Sequence, residues 1–375
     1  MILNDVCALI VDCLHSTAYD EGSGYPLIRT PNIGRGRLIL DDVHRVSEKV
    51  YIERNVRATP QEDDLVLARE APAGNIAIIG KNQKVCLGQR TVLIRPDIKK
   101  VSSLYLMYYL LMPNQQYELL GTANGATVPH VNMSTIRKLP IALPDLDTQK
   151  RVAESINVYD NLIENNQKQI KLLEEAAQRL YKEWFIDLRF PGHENVEIVD
   201  GIPVEWENLE FLNIAPIITG KKDANFGSEN GKYLFFTCSQ EPLLAESYSY
   251  DCDAVILAGN GDFNVKLYRG KFEAYQRTYV LSPYKTEHLY LLFYTIKNRM
   301  NYLIQGASGS TIKFLTKGMI ANIKVLVPTC EILKQYNEIA ESLQRKQEVL
   351  IYQNKLLTEA RDRLLPKLIS GEIEV

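Results

Sequence analysis

The sequence lacks any run of about 18 consecutive apolar residues, the length that a helix needs to cross a membrane. Its first residues, MILNDVCALIVDCLH, include Asp5 and Asp12 and contain no basic leader, so a secretory signal peptide is not expected. None of the six cysteines forms a CxxC pair, which argues against a zinc site or a redox motif of that kind. We therefore expect a cytoplasmic protein with reduced thiols.

Sequence motifs for catalysis are also missing. The segment GSENGKY (227–233) is close to a phosphate-binding loop, but its glycines are one residue too near each other and no Ser or Thr follows the Lys. The NPPY or DPPY motif of a DNA adenine methyltransferase does not occur, nor does a PD…ExK nuclease pattern. The five histidines show no metal-ligand spacing, and His130 either contacts a partner or is an ordinary turn residue. The sequence predicts no catalytic residue and no metal site.

An internal repeat is the strongest feature that is present. The segment KLLEEAAQRLYKEWF, starting at Lys171, returns as KLLTEARDRLLPKLI, starting at Lys355 and 184 residues later. Pro144 and Pro328 have the same offset, and the QRT at 89–91 is matched upstream by the QRT that ends at Thr278. The chain is therefore predicted to run as globular unit, helix, globular unit, helix.

Both copies of the repeated helix carry seam residues at alternating steps of four and three, a pattern typical of a coiled coil. About 38 residues would make a helix of about 57 Å, which cannot bury such a seam alone. We expect the two helices to pair, with Asn166 fixing the register; two separate core helices are the alternative. Pro366 is expected to kink or stop the second helix. The residues expected in the seam and in partner docking are Ile156, Ile163, Asn166, Ile170, Leu173, Leu180, Leu343, Leu350, Leu357 and Leu364.

The segments that precede the helices are predicted to be mixed α/β and rich in strands. DDLVLA, TVLIRP, DAVILAG and RTYVLSP are short runs rich in β-branched residues, bounded by turn signals. A helical stretch is expected near 102–112 and another near 287–300. The predicted organisation is a first globular unit at 1–143, a first long helix at 144–190, a second globular unit at 191–327 and a second long helix at 328–375.

The distribution of charge leaves nucleic-acid binding open. The net charge is −3, but residues 144–199 carry 7 basic and 11 acidic side chains, whereas residues 1–143 carry 16 and 14. Basic side chains in turn-rich segments are candidates for contact with DNA phosphate or bases, and solvated surface is the alternative. Arg90 and Arg277, at equivalent places in QRT, have support of the fold as their alternative role. The candidates are Arg29, Arg35, Arg37, Arg69, Arg90, Lys221, Lys222, Lys266, Arg269 and Arg277.

Two motif types carry a family resemblance. One is a G-x-T segment followed by a short strand, a proline and a long helix: GATVPHVNMSTIRKLPIALP, with Gly125 and Thr127, and GSTIKFLTKGMIANIKVLVP, with Gly309 and Thr311. The other is the helix end, LLEEAAQRLYKEWF and LLTEARDRLLPKLISGEI. Together with the order of units, these motifs resemble the specificity subunit of type I restriction-modification systems over the whole chain.

The resemblance implies a mixed α/β (α+β) protein, in which two target recognition domains alternate with two long helices that pair as an antiparallel coiled coil. It implies a non-catalytic subunit that reads an asymmetric, bipartite DNA site, one half per domain, with the coil setting the spacer. Its implied partners are double-stranded DNA, two modification subunits that carry S-adenosylmethionine, and restriction subunits where present. A self-contained DNA adenine methyltransferase and a coiled-coil scaffold without a DNA role are the alternatives. The second domain opens with GIPVEWENLEF, whereas the first domain has no equivalent Trp.

Overall fold

The computed structural model describes most of the chain: residues 1–121, 130–309 and 313–375. Three residues of the G-x-T segments, Gly125, Thr127 and Thr311, therefore lie outside the described residues. The chain divides into two compact units, each with one strand-rich domain and a part of each long helix. The first unit contains Met1–Asn165 and Gln353–Val375, and the second contains Asn166–Tyr352.

The first unit is built on a five-stranded sheet and a three-stranded sheet. Its strands are β1 (Cys7–Asp12), β2 (Tyr25–Ile28), β3 (Gly36–Arg37), β4 (Arg45–Val46), β5 (Leu65–Ala68), β6 (Ile76–Ile78), β7 (Cys86–Leu87) and β8 (Thr91–Pro96). Its short helices are α1 (Glu48–Arg54), α2 (Ser103–Leu110), α3 (Pro113–Leu120) and α4 (Met133–Lys138). The long helix α5 (Leu146–Phe185) begins in this unit.

The central strand of the first unit follows from its sequence. All four residues of β5, LVLA, are fully buried, because the five-stranded sheet, in the order β1-β8-β5-β6-β3, has an apolar cluster on each face. Helix α2 belongs to one of these clusters and contributes the fully buried Leu106. The α2 helix starts where the Ser102 hydroxyl accepts a hydrogen bond from the Tyr105 N–H at 3.4 Å, a standard N-cap. The prediction of a helix near 102–112 agrees with α2.

The second unit has a six-stranded sheet and two two-stranded sheets. Its helices are α6 (Phe211–Ile214), α7 (Leu289–Gly306), α8 (Lys317–Ala321) and the start of the second long helix, α9 (Cys330–Ser370). Its strands are β9 (Ile198–Val199), β10 (Ile202–Pro203), β11 (Glu207–Glu210), β12 (Ile218–Thr219), β13 (Tyr233–Phe236), β14 (Leu243–Ala245), β15 (Tyr250–Ala258), β16 (Val265–Ala274), β17 (Thr278–Leu281) and β18 (Lys324–Val327).

The two main sheets have the same topology. The order β1-β8-β5-β6-β3 in the first unit corresponds to β12-β17-β15-β16-β13 in the second, where β14 adds a further edge strand. In both sheets the strand that follows the central hairpin in this order, β3 or β13, is parallel to its neighbour, while the preceding pairs are antiparallel. A helix, α2 or α7, follows the equivalent strands β8 and β17. The repeat seen in the sequence is thus a repeat of the fold.

The two long helices pack together in antiparallel fashion. In the first unit, the Asn354 Nδ2 donates to the Ile163 carbonyl at 3.4 Å, and Arg361 contacts the earlier residue Asp160 at 2.7 Å. In the second unit, the Tyr336 ring lies 6.0 Å from the ring of Trp184, while Ala340 shares a core with earlier residues of α5. The fold class expected from the resemblance is therefore confirmed. Within the described ranges, no helix is long and apolar enough to cross a membrane.

The seam positions of both helices face inward. Asn166 and Gln347 are only 7% and 5% exposed, although both are polar. Helix α9 continues through Pro366 to Ser370, so the stop expected at this proline is not observed. The ten residues expected in the seam are buried or half-buried: Ile156, Ile163, Asn166, Ile170, Leu173, Leu180, Leu343, Leu350, Leu357 and Leu364.

Candidate nucleic-acid interface

Arg29 and Arg35 lie in the loop that joins β2 to β3. Arg35 is exposed, and its Nη2 donates to the Leu111 carbonyl at 3.1 Å. Arg29 is half-buried, and its Nε is buried with no hydrogen-bond partner. Its backbone N–H donates to the Asn32 side chain at 3.1 Å, which holds the start of a short turn. Arg35 is the more accessible of the two for DNA.

Arg37, two residues further, points towards the long helix α5. Its guanidinium forms an ion pair with Glu164 and donates to the Asn161 side-chain oxygen at 2.6 Å. Its side chain is still 42% exposed. The expected role in DNA contact is therefore weaker for Arg37 than for Arg35, because both partners of Arg37 belong to the protein.

Arg69 and Arg90 belong to a charged cluster at the end of β5. The Arg69 side chain is 9% exposed; its Nε donates to the Val131 carbonyl at 2.8 Å, and its Nη2 lies 2.7 Å from the His130 Nε2. The other ring nitrogen of His130 lies 2.6 Å from a Glu70 carboxylate oxygen, and Arg90 pairs with the same carboxylate at 2.5 Å. Arg69 and His130 thus hold the segment around Val131 against the sheet, while Arg90 remains 59% exposed.

Lys221 and Lys222 follow β12 in the second unit. Their backbone N–H groups lie 3.1 and 3.4 Å from the Ala274 carbonyl, so both residues are anchored to the end of β16. The Lys222 ammonium lies 4.4 Å from the centre of the Phe226 ring, a cation–π contact, and Lys221 is exposed. These two lysines form a compact cationic pair on a rigid strand end, as phosphate contact requires.

Lys266 and Arg269 project from β16 and are largely engaged by the protein. Lys266 Nζ donates to the Ser239 carbonyl at 2.9 Å, and burial lowers the pKa of this ammonium despite nearby carboxylates. Arg269 donates to the Tyr290 hydroxyl and lies 3.7 Å from Asp253 and 3.9 Å from Glu341. Burial acts to lower the pKa of Arg269, but Tyr290 and the two carboxylates raise it overall, so it stays charged.

Arg277 is exposed and matches Arg90 in the repeat. The Arg277 carbonyl accepts the Gly259 N–H at 2.9 Å, and the Arg90 carbonyl accepts the Arg69 N–H at 2.8 Å. The backbone of QRT therefore closes the end of the central strand in both domains. This structural role does not involve either guanidinium, so both side chains remain available.

The structure does not gather the ten candidates into one patch. The accessible candidates of the first domain are Arg35 and Arg90, and those of the second are Lys221, Lys222 and Arg277. Three residues missed by sequence reasoning, Tyr108, Asp160 and Arg361, form a half-buried polar group in the first unit. Arg361 had a signal in the sequence, because it is a charged residue at a seam position, but nothing in the sequence pointed to its partners. Among the described residues, no group of three or more His, Cys, Asp or Glu could hold a metal ion.

A duplicated α/β domain with cationic turns, each copy followed by a long helix, defines a class of two-domain binding proteins built on a helical pair. The type I restriction modification DNA specificity domain matches this chain twice, at residues 2–175 and 203–358. The chain belongs to this family.

Individual relatives agree with this assignment. The type I restriction enzyme MjaIX specificity subunit of Methanocaldococcus jannaschii is 26% identical over 361 residues, covering 88% of this chain and 82% of that protein. The EcoDI specificity subunit of Escherichia coli is 42% identical over 130 residues, which span only 34% of this chain and 29% of that protein. The crystal structure of a type I restriction-modification S subunit from M. genitalium has the same fold, with a TM-score of 0.62, 16% identity and coverage of 98% of this chain and 95% of that chain.

Proposed function

We propose that this chain is the DNA-binding specificity subunit of a type I restriction-modification complex, and that it reads an asymmetric site in two halves. The recognition domains are residues 1–143 and 191–327, and each takes one half-site. The observation that carries this proposal is the repeated sheet with different side chains at equivalent turns. The Val131 N–H donates to the Arg69 carbonyl at 2.9 Å, and the Leu315 N–H donates to the Gly259 carbonyl at 2.7 Å. An arginine thus stands where the second domain has a glycine, as expected for two different half-sites.

The long helices are the proposed docking surface for two modification subunits, which would carry S-adenosylmethionine and methylate adenine. Apolar side chains on exposed helix faces are candidates for such contacts, since water-exposed apolar groups gain free energy when a partner covers them. Val158 and Leu162 are 55% and 45% exposed in the first unit, and Ile339 and Val349 are 42% and 50% exposed in the second. Each unit therefore offers one candidate surface of this kind.

The chain itself is proposed to be non-catalytic and cytoplasmic, and to take no cofactor of its own. Restriction subunits would join the complex where the system has them. A methyl-transfer assay on the purified chain alone tests the competing idea of a self-contained methyltransferase, for which activity without a second protein is required. A DNA-binding assay with and without the modification subunit tests the idea of a scaffold with no DNA role.

The decisive experiment maps methylated adenines in DNA from a host that carries this chain and its modification subunit. We expect methylation at one asymmetric motif composed of two short half-sites separated by a fixed gap of unspecified bases. A matched host with the modification subunit alone is the control. Methylation that is independent of this chain, or that falls in one uninterrupted motif, contradicts the proposal.

A further inference from the structure

The first recognition domain is tied to both long helices through one carboxylate. The Tyr108 hydroxyl, on α2, donates to Asp160 Oδ2 at 2.6 Å. Arg361 Nη1, on α9, donates to Asp160 Oδ1 at 2.7 Å. The side chains of Asp160 and Arg361 are 13% and 24% exposed. Both oxygens of Asp160 are therefore used, one by the recognition domain and one by the second helix.

A second contact lies at the edge of the same sheet. Arg37, on the edge strand β3, forms an ion pair with Glu164 and a 2.6 Å hydrogen bond with Asn161, both on α5. Between the two contacts lies a cavity of about 240 Å³, lined among others by Met107 and Asn157. The domain does not close-pack on the helix at this place, so the polar contacts bridge the gap. We call Arg37, Tyr108, Asp160, Glu164 and Arg361 the helix latch.

The chemistry of the latch makes it directional. Apolar packing is roughly proportional to the area buried and has little preference for one orientation, whereas hydrogen bonds to charged groups require a defined distance and angle. Burial raises the pKa of Tyr108, and the charge and hydrogen bond of Asp160 raise it further, so the phenol remains a proton donor at neutral pH. Burial acts to lower the pKa of Arg361, but its hydrogen bonds to Asp160 and Asp362 raise it overall. The latch therefore keeps one protonation state throughout the neutral range.

The second unit repeats the arrangement with other residues. Arg269, on the strand next to β13, lies 3.9 Å from Glu341 of α9. Lys297, on α7, pairs with Glu174 of α5 at 2.5 Å. Here too the main sheet and the helix that follows it each supply a group that contacts a carboxylate of a long helix. Recurrence in both domains, with different side chains, indicates a requirement of the architecture.

We propose that the helix latch fixes the orientation of the first recognition domain on the long helices, and thereby sets how strictly the complex measures the gap between the half-sites. Arg37, Tyr108, Asp160 and Arg361 are positioning residues: they contact no base, and they decide where the base-reading turns lie. Arg35 lies two residues from Arg37, so a shift of β3 moves an exposed reader directly. This inference rests on the proposed function.

The test uses the full chain together with its modification subunit. Methylation is measured on a DNA library in which the gap between half-sites has the preferred length or is one base pair shorter or longer, and in which the bases of both halves are also varied. The variants are Tyr108→Phe, Arg361→Met and Arg37→Glu, and the rescue is Arg37→Glu combined with Glu164→Arg. The matched control is Arg151→Ala, an exposed arginine of α5 whose guanidinium contacts Thr148 of the same helix. Melting temperatures are recorded for all proteins.

We expect the latch variants to lower the preference for the correct gap by roughly tenfold, the scale of one or two lost hydrogen bonds to charged groups, with base preference unchanged. The charge-swapped double variant should recover the preference, and Arg151→Ala should match the original chain. Tyr108→Phe removes one hydroxyl and keeps the ring, so it tests the latch even if a charge variant does not fold.

Two results overturn the latch. One is equal loss of methylation at every gap length, in proportion to lost thermal stability, which indicates support of the fold only. The other is altered base preference in the first half with unchanged gap preference, which makes Arg37 a reader. The original chain in the same assay separates these results from failure of the proposed function: if it directs no bipartite methylation, the proposed function fails and the latch fails with it.

Discussion

Arg361 donates a hydrogen bond of 2.7 Å to Asp160, although 201 residues of sequence separate the two. Both belong to the first unit, which also contains the N-terminal recognition domain. Leu364 and Leu368 of the same helix end pack into the core that includes α2. The last part of the chain therefore completes the first domain's unit, and the first unit closes only when both ends of the sequence are present.

A truncation tests this relationship. Ending the chain at Tyr352 removes the α9 part of the first unit, and we expect the first unit to lose stability while the second, Asn166–Tyr352, stays folded. The physical reason is the exposure of core residues that Leu368 and its neighbours cover, at about 25 cal/mol for each Å² of apolar surface. Hydrogen exchange measures the effect by segment. Protection that falls equally in both units, or only in the second, contradicts the prediction.

A second prediction concerns the seam. Leu173→Asp and Leu357→Asp each place a charge at a half-buried seam position, and each should lower the free energy of unfolding by several kcal/mol. The chain offers neighbouring controls, because Leu172 and Leu356 are 63% and 46% exposed. Leu172→Asp and Leu356→Asp should leave thermal stability nearly unchanged. Equal melting temperatures for seam and control variants would remove the basis for the paired seam.

These outcomes bear on how far sequence alone reaches. The steps of four and three predicted the inward-facing positions, since helical periodicity and burial are local properties of the chain. Paired apolar runs before each helix predicted two similar strand-rich domains. The functions of single arginines could not be predicted in this way. Arg37 and Arg69 look alike in sequence, yet one is held by Glu164 of a distant helix and the other by Val131 and His130. Such partners are set by tertiary packing, which local pattern does not encode.

The spacing of the half-sites gives a third prediction. Inserting one heptad after Gln167 and one after Ile351 keeps the seam in phase and adds about 10 Å of helix. The gap between methylated half-sites should grow by roughly three base pairs at about 3.4 Å each, with both half-sites unchanged. A four-residue insertion at the same places is the control, because it puts the seam out of phase and should disrupt pairing. An unchanged gap in the heptad variant would refute the role of the helices in setting the spacer.

His288 supplies a pH-dependent prediction. It lies before α7 and is 6% exposed; burial lowers its pKa, against the opposing charge of Glu287. The unfolded chain therefore binds a proton at a higher pH than the folded chain does. The free energy of unfolding of the second unit should be largest above about pH 6.5 and fall as the pH drops below it. His288→Asn should flatten this dependence, whereas His15→Asn, at an exposed histidine of the first unit, should not. Thermal melts between about pH 5.5 and about pH 7.5 measure it, and identical slopes for both variants would count against this account.

The last prediction separates readers from supports among the basic residues. Arg69→Ala should act on stability, by about 1–3 kcal/mol, because it leaves the buried Val131 carbonyl and His130 without a partner. Lys221→Ala should weaken binding evenly across DNA sequences and reduce its salt dependence, as for a phosphate contact. Arg35→Ala should change the first half-site only: an arginine that grips guanine relaxes one base position by about 1–3 kcal/mol, whereas one on phosphate does not. The measurement is binding to DNA randomised at both halves, with the modification subunit present and at two salt concentrations. Because Arg35 and Lys221 belong to different recognition domains, a change of base preference in the second half caused by Arg35→Ala would disprove the assignment of one domain to each half-site.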